Sequence, residues 1–360
     1  MNSFWQEKTA MIAHLNEVDQ VIGKQLTVKQ RKMNEILQDL ASSGGKRIRP
    51  GLCIIGAGFG SKPIESIYPL AAVLEMLHLA TLVHDDIIDD ATHRRGALTT
   101  QQKYGKDYAV YTGDYIFTKC FEILAENYEL HHMKELSKGV SRVCVGEIEQ
   151  FDGRFKSHTS VKKYLKIVGA KTSALLATSL AVGAYEAGCD ERFCKKLGKI
   201  GLHVGNAFQI IDDILDYTGD EARVGKTLGN DLKQGYYTLP LIYALRKNDL
   251  VLNKLLAADV YDDETIKRII VRVNELGGVR QAQSLAEKYT IKSLKEISSL
   301  PTCQSRDDLE WITKRLLVRE HYNYSNVLFF YLNIIRLYCY ISQNREKVTK
   351  IWICYLHNIG

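Results

Sequence analysis

Apolar residues recur at three- and four-residue spacing along most of the chain, which is the pattern of helices packed on one face. In residues 68–90 this spacing continues for about five turns. Residues 161–188 and 196–220 repeat it and are apolar nearly all round, so we expect them at the centre of the fold. No strand alternation and no repeat of 20–50 residues is visible. The pattern predicts an all-α fold of many packed helices.

Three turn-rich segments, 42–50, 219–240 and 298–308, separate the helical stretches. After residue 322 the chain changes character, with many aromatic residues, several Lys and Arg, and one acid. We therefore divide it into a single all-α domain, 1–322, and an aromatic-rich extension of unknown role, 323–360. The extension's apolar run is shorter than the ~20 residues of a spanning helix. Weak membrane association through a surface helix, a packed or disordered extension, and sequence without function all stay open.

Composition narrows the function classes. The 360 residues are 46% hydrophobic, enough for a sizeable core, and the net charge of +6 is not gathered into the basic stripes of a nucleic-acid binder. Eight scattered cysteines without a CxxC pair favour core residues in a reducing compartment over disulfides or a zinc site. The N-terminus carries no signal-peptide pattern, so we expect a cytoplasmic protein.

Two aspartate clusters stand out because each has the spacing Asp-Asp-x-x-Asp within an apolar segment. They are Asp85, Asp86 and Asp89, and Asp212, Asp213 and Asp216. Residues four apart share a helix face, so Asp85 with Asp89, and Asp212 with Asp216, would each form a carboxylate pair. One such pair could be a solvated acidic face, but two pairs among apolar residues need a compensating charge. Oxygen-only ligands suit Mg²⁺, which commonly binds phosphate as well, so the pairs predict a diphosphate held by several Mg²⁺ ions.

Cations follow or precede these clusters at several places: Lys46, Arg47 and Arg49, Arg94 and Arg95, and Lys226. Guanidinium forks match phosphate oxygens, and lysine supplies a point charge. This inventory suits one metal-bridged diphosphate and a second that is metal-free. We expect Arg94 and Arg95 to bind the two substrates rather than neutralise the aspartates, and Arg47 to be an ordinary surface cation.

From about residue 30 to 320 the sequence resembles the trans-isoprenyl diphosphate synthases. The resemblance rests on ordered motifs: "GGKRIRP", "LHLATLVHDDIIDDATHRRG", "YTGDYIF", "GEIEQ", "AKTSALL", "FQIIDDILDYTGD" and "GKTLGNDLKQG". It is strongest with medium- and long-chain members, among them the catalytic subunit of heptaprenyl diphosphate synthase. It implies an isoprenoid-synthase-type helical bundle around a central cavity. It also implies a magnesium-dependent prenyltransferase, with three Mg²⁺ per site, that makes polyprenyl diphosphates for quinone side chains.

The resemblance also implies residue roles. All six aspartates would bind metal, and catalysis would depend on Asp85, Asp86, Asp89, Lys171, Asp212, Asp213 and Lys226. Isopentenyl diphosphate would bind Lys46, Arg49, His78 and Arg95. The allylic substrate, geranyl or farnesyl diphosphate, would bind Arg94, Lys171, Thr172, Gln209 and Lys226. One departure is the "GKxTxP" position, where this chain reads "GYYTLP" with Tyr236.

The expected reaction is ionisation of the allylic diphosphate, attack by the isopentenyl double bond, and proton loss to the departing pyrophosphate. Short-chain members carry aromatic residues one turn before the first aspartates, where this chain has Ala80 and Thr81. We therefore expect a product beyond C20, with the tunnel floor nearer Leu77, Leu74 or Val73.

Three alternatives differ in class. A class I terpene cyclase has one such aspartate motif, and its second metal motif is of another type. A non-catalytic partner subunit loses aspartates that this chain has. The third alternative is a membrane-associated scaffold, which only the extension 323–360 supports. The assembly is expected to be a homodimer or a heterodimer with a small subunit.

Overall fold

The computed structural model describes residues 3–94, 96–157, 159–218, 228–257 and 261–317. The helices are α1 Thr9–Gln25, α2 Arg31–Ser42, α3 Ile48–Ala57, α4 Tyr68–Ile88, α5 Thr100–Tyr104, α6 Lys106–Asn127, α7 Leu130–Phe151, α8 Val161–Val168, α9 Ala174–Glu186, α10 Glu191–Thr218, α11 Asn230–Lys233, α12 Leu239–Leu245, α13 Leu250–Leu256, α14 Asp263–Glu275, α15 Gly278–Ser298 and α16 Gln304–Leu317. Short 3₁₀ segments span Ser3–Trp5 and Ile64–Ile67, and a π-helical turn spans Gly169–Ser173. The predicted all-α fold is confirmed.

The one sheet among these residues is a small hairpin, β1 His93–Arg94 paired antiparallel with β2 Ala97–Leu98. The hydrophobic pattern did not predict it, because two-residue strands have no alternation to detect. The hairpin folds the chain back directly after α4. It thereby returns the cation Arg94 to the end of the helix that carries the first aspartate motif.

Local signals explain where several helices begin. Pro69 and Pro240 occupy the first turns of α4 and α12, where proline's missing N–H is not needed. The side chains of Ser160 and Asp262 accept backbone N–H groups and so cap α8 and α14.

The centre of the fold is a close crossing of α9 with α3 and α10. At Gly183 of α9, a Cβ atom would lie 2.0 Å from the Cys53 carbonyl oxygen of α3, and at Gly56 of α3 it would lie 2.2 Å from the Leu180 carbonyl. A Cβ at Gly201 of α10 would lie 2.7 Å from the Ala177 Cα atom. Glycine is needed at these points because the helix backbones touch. Segment 161–188 therefore lies at the centre, as its composition predicted.

Two helical stretches, Ile64–Ile88 and Val161–Glu186, are long and apolar enough to cross a membrane by length and composition alone. More than half of each is buried inside the fold, as in the core helices of any packed domain. The six cysteines within the described ranges are all free thiols; Cys53, Cys120 and Cys194 are buried as core residues, whereas Cys144 is exposed.

By its packing, the chain divides into a unit of residues 1–313 and a unit of residues 314–360. Of the second unit the structure describes only 314–317, where α16 ends. The predicted boundary at 322/323 and the whole aromatic-rich extension lie outside the described residues.

Candidate active site

The first aspartate motif lies at the C-terminal end of α4. Asp85 is in the last turn and Asp89 is the residue that ends the helix. Burial and the nearby Glu147 carboxylate together raise the pKa of Asp85 to about 6, against the opposing effect of Lys171. Burial likewise raises the pKa of Asp89, while Lys171, Arg154 and Arg94 lower it. The pair is therefore a half-buried concentration of negative charge.

Asp86, the middle residue of the motif, is buried and ion-paired with Arg94. Arg94 Nε lies 2.7 Å and Nη2 lies 2.6 Å from Asp86 Oδ1. Gln101 donates to the backbone carbonyls of Asp86 (2.7 Å) and Ala91 (2.9 Å), which fixes the turn between α4 and the hairpin. The expectation that Arg94 leaves the aspartates alone was wrong, because the hairpin brings its guanidinium onto Asp86. Only part of its fork remains for a substrate.

The second motif lies in the last turns of α10. Asp213 is buried, and its two oxygens accept different hydrogen bonds: Tyr164 Oη donates to Oδ2 (2.5 Å) and Gln209 Nε2 donates to Oδ1 (2.8 Å). Burial and the charge of Asp231 raise the pKa of Asp213 well above its usual range, against these two hydrogen bonds. Two neutral donors thus fix the direction of this carboxylate.

Asp212 and Asp216, the predicted carboxylate pair, lie on α10 in different surroundings. Asp212 is exposed, whereas the Asp216 carboxylate accepts the backbone N–H groups of Asn230 (3.2 Å) and Asp231 (3.3 Å) at the start of α11. Burial raises the pKa of Asp216, and these N–H groups lower it. Helical spacing alone could not predict this, because the donors come from the loop that follows α10.

Lys171 and Thr172 lie in the π-helical turn before α9, a type of irregularity common at functional sites. Lys171 Nζ donates to Glu147 (2.8 Å) and Gln150 (2.9 Å) of α7. Burial lowers the pKa of Lys171, but the carboxylates of Glu147 and Asp85 raise it by more, so the amine stays charged. Thr172 Oγ1 donates to Gln209 Oε1 (2.8 Å), so the predicted pair Thr172 and Gln209 is in direct contact.

A cavity of about 160 Å³ lies between the two motifs. Its wall includes Asp89 from the first motif, Asp213 from the second, and Lys171, Thr172 and Gln209 between them. The structure therefore brings together residues that are more than 120 positions apart, as the sequence analysis required. A half-buried cavity with acids on two sides and a charged amine suits a polyanion bound together with cations.

The residues predicted for isopentenyl diphosphate border a different region. Lys46 and Arg49 lie in and after the loop that begins α3, and His78 lies two turns before Asp85 on α4. The loop is held in part by Trp5, whose Nε1 donates to the Lys46 carbonyl (2.7 Å). None of these residues lines the 160 Å³ cavity. Arg95 and Lys226 lie outside the described residues.

The three residues predicted to set product length lie on α4. Leu77 and Ala80 are buried, and Thr81 is half-buried and donates to the His78 carbonyl (2.8 Å). They do not border the cavity between the motifs. Their effect on product length stays a prediction.

Several residues of the site were not assigned from the sequence. Glu147 and Gln150 belong to the quoted motif "GEIEQ", and their three-residue spacing on one helix face was an available signal. For Tyr164, the only signal in the sequence was its position seven residues before Lys171. Arg154 and Tyr236 meet across the wall of the site, with the guanidinium carbon 4.7 Å from the ring centre. Nothing in the local sequence indicates that contact.

The donor set fits hard divalent cations. Asp85 and Asp89 have no hydrogen-bond partner for their carboxylates within the described ranges, and every candidate ligand in the two motifs is oxygen. No group of three or more His, Cys, Asp or Glu side chains in the described part of the chain is close enough to hold an ion unaided. Mg²⁺ does not require one, because it retains waters and takes substrate phosphate oxygens alongside one or two carboxylates.

Comparison with known proteins agrees with this geometry. The polyprenyl synthetase family model matches residues 30–273. Heptaprenyl diphosphate synthase component 2 of Bacillus subtilis is 37% identical over 305 residues, which cover 83% of this chain and 87% of that protein. Heptaprenyl diphosphate synthase from Staphylococcus aureus superposes with a TM-score of 0.82 at 33% identity, covering 86% of this chain and 98% of that one. A Caulobacter crescentus polyprenyl synthase complexed with calcium and isoprenyl diphosphate gives 0.82 at 27% identity, covering 88% and 98%.

Proposed function

The chain belongs to the polyprenyl synthetase family, and on that premise we propose that it condenses isopentenyl diphosphate with an allylic diphosphate. The product would be an all-trans polyprenyl diphosphate longer than C20, of the kind that supplies quinone side chains. The cavity between Asp89, Lys171 and Asp213 is the observation that carries this proposal, because it offers acids and a charged amine on opposing walls.

Mg²⁺ would be held by the six motif aspartates, of which Asp89 and Asp213 line the cavity, and we propose three ions. Bound there, Mg²⁺ would supply positive charge to the diphosphate group that leaves. Calcium and isoprenyl diphosphate in the Caulobacter crescentus relative support an oxygen-ligand site of this type. Asp86 and Asp216 would contribute after exchange of their present partners, Arg94 and backbone N–H groups.

The chain's own cations and polar groups would position the two diphosphates. The allylic diphosphate would contact Lys171, Thr172, Gln209, Arg94 and Lys226. The isopentenyl diphosphate would contact Lys46, Arg49, His78 and Arg95. Lys171 is suited to this task because Glu147 and Gln150 hold its amine in place beside the cavity.

The reaction balances without a side-chain base. The allylic C–O bond breaks and its electron pair leaves with pyrophosphate. The isopentenyl double bond forms the new C–C bond to the allylic carbon. The resulting cation then loses a proton to pyrophosphate and gains a new double bond. Repetition extends the chain, and we propose that Ala80 and Thr81 leave the tunnel open while Leu77 lies nearer its floor.

The direct test is incubation of the purified chain with Mg²⁺, isopentenyl diphosphate and farnesyl diphosphate, followed by chromatographic sizing of the dephosphorylated products. A linear product beyond C20 is the expected result. Cyclic hydrocarbons would contradict the proposal and favour a terpene cyclase.

We propose a homodimer or a pair with a dissimilar small subunit, and a cytoplasmic location. The "component 2" in the name of the Bacillus subtilis relative supports the second arrangement. A chain that is inactive alone but active after addition of a small subunit would establish it. Deleting residues 323–360 and repeating the assay with lipid vesicles would test membrane association.

A further inference from the structure

Position 236 holds a tyrosine where the sequence comparison led us to expect a lysine, yet the structure places another cation beside it. We propose that Arg154, in the loop after α7, binds the allylic diphosphate at the rim of the cavity and supplies the charge that position 236 lacks. This inference rests on the proposed function.

The loop that carries Arg154 is fixed against the loop before α12. The backbone N–H of Phe155 donates to the Gly235 carbonyl (2.9 Å). Gly235 has φ +79°, and a Cβ atom there would lie 2.4 Å from the Phe155 ring. Glycine at position 235 therefore permits both the backbone turn and the contact with the ring. The contact holds residues 153–155 next to residues 234–236, three of which line the cavity: Gly153, Gln234 and Tyr236.

The guanidinium of Arg154 is held in a defined orientation. Its Nε donates to the Gln234 carbonyl (2.7 Å). Its central carbon lies 4.7 Å from the Tyr236 ring centre and 5.0 Å from the Phe151 ring centre. Two aromatic contacts and one hydrogen bond restrain the group, so little rotamer freedom is lost when a ligand binds.

The hydrogen-bonding end of the guanidinium is the part left for a ligand. Within the described ranges, no hydrogen bond joins Nη1 or Nη2 of Arg154 to another group. These paired N–H donors match the geometry of phosphate oxygens, which lysine's ammonium does not. Arg154 thus resembles a preorganised phosphate contact more than a structural ion pair, since no carboxylate of the described residues closes its fork.

The neighbours of Arg154 place it beside the cavity. Gln234, whose carbonyl accepts its Nε–H, and Tyr236, on which its guanidinium stacks, both line the cavity wall. Lys171 already donates to Glu147 and Gln150. A diphosphate in this cavity therefore needs further cations. Lys163 lines the cavity as well, and Arg154 is the cation that stacks on Tyr236 of its wall.

The test uses the full chain and four variants: Arg154→Gln, Arg154→Lys, Arg154→Gln with Tyr236→Lys, and the control Arg246→Gln. Arg246 is matched because its guanidinium also stacks on a tyrosine, 5.5 Å from the Tyr243 ring centre, but Tyr243, unlike Tyr236, does not line the cavity. Calorimetric titration with inorganic pyrophosphate and Mg²⁺ measures binding directly. Steady-state kinetics then give KM separately for farnesyl diphosphate and isopentenyl diphosphate.

We expect Arg154→Gln to weaken pyrophosphate binding and raise KM for farnesyl diphosphate by about 10- to 100-fold, as for loss of a charge-assisted contact. KM for isopentenyl diphosphate should change less than about twofold. Arg154→Lys should be intermediate because it keeps the charge without the fork. Adding Tyr236→Lys should recover most of the lost pyrophosphate binding in the double variant, and Arg246→Gln should match wild type.

Two results would overturn the inference. One is pyrophosphate binding in Arg154→Gln that equals the Arg246→Gln control. The other is an equal rise of both KM values with a lowered unfolding midpoint and no recovery by Tyr236→Lys, which would mark a purely structural arginine. Failure of the proposed function would be distinct, because wild type itself would then make no prenyl product.

Discussion

Removing Arg47 should reveal a buried ion pair that orders the isopentenyl diphosphate loop. Arg47 lies between Lys46 and Arg49 and precedes α3 with φ 50°, a left-handed conformation rare for a residue with a side chain. Its Nη1 donates to Glu75 of α4 (3.0 Å) and its Nε donates to Asp19 of α1 (2.7 Å). One side chain therefore ties the loop to two helices.

The magnitude follows from burial. The side chains of Arg47 and Glu75 are 11% and 8% exposed, whereas Asp19 is 46% exposed and contributes little. Glu75 Oε2 is buried and has no hydrogen-bond partner among the described residues, so Arg47 is its main compensation. Leaving such a carboxylate alone costs roughly 3–5 kcal/mol of unfolding free energy. We expect that loss in Arg47→Met. Glu75→Gln should cost about 1–3 kcal/mol, because Arg47 retains Asp19.

Urea unfolding of Arg47→Met, of Glu75→Leu and of the variant that carries both substitutions completes a double-mutant cycle. The double variant should lie within about 2 kcal/mol of wild type, because replacing both members of a buried pair by apolar residues is often nearly neutral. Arg306→Met is the matched control, since Arg306 pairs with a largely exposed Asp307 and should cost about 1 kcal/mol or less.

The same variants report on function. Arg47→Met should raise KM for isopentenyl diphosphate more than KM for the allylic substrate, because Lys46 and Arg49 flank the lost anchor. Additive costs in the cycle, or a stability loss in Arg47→Met no larger than in Arg306→Met, would refute the argument from burial.

Three further predictions concern the cavity and the tunnel. Asp85→Asn should lower the rate at least about 100-fold and abolish Mg²⁺-dependent pyrophosphate binding. The control Asp90→Asn removes an exposed partner of Lys106 and should have neither effect. Equal pyrophosphate binding by the two variants in calorimetry would contradict the assignment of Asp85. Tyr164→Phe should lower kcat about 10-fold and raise the Mg²⁺ concentration needed for half-maximal rate, because Asp213 loses one of its two fixed donors; an unchanged Mg²⁺ titration would speak against that role. Ala80→Phe should shorten the product at a stability cost of about 1–3 kcal/mol, and an unchanged product distribution on chromatography would sink the tunnel argument.

Helical periodicity was sufficient to predict the fold class and most helices, because burial on one face is a local property of the sequence. In α4, for example, the predicted apolar stripe of 68–90 became a helix over Tyr68–Ile88. The π-helical turn at Gly169–Ser173 was not predictable in this way. It lies where a Cβ atom at Gly205 of α10 would come within 2.6 Å of the Ser173 Cα atom, a contact between segments more than 30 residues apart.

The two aspartate motifs were also recognisable in the sequence, but the residues that hydrogen-bond to individual aspartates were not. Tyr164 reaches Asp213 from 49 residues away, and Arg154 reaches the Gln234 carbonyl from 80 residues away. Such partners depend on how α7, α8 and α10 pack. Spacing along one helix therefore identifies which carboxylates share a face, and tertiary contacts decide which of them remain available.

Because the motif aspartates have different partners, the two motifs should differ in how they bind cations. Asp86 is paired with Arg94, Asp213 is oriented by neutral donors, and Asp216 is held by backbone N–H groups. Among the described hydrogen bonds, none fixes the carboxylates of Asp85 and Asp89, and burial raises both pKa values. A cation bound there displaces no such hydrogen bond, whereas one bound at Asp216 must first displace existing ones. The first motif should therefore bind metal more tightly than the second, and substrate diphosphate should strengthen the second most.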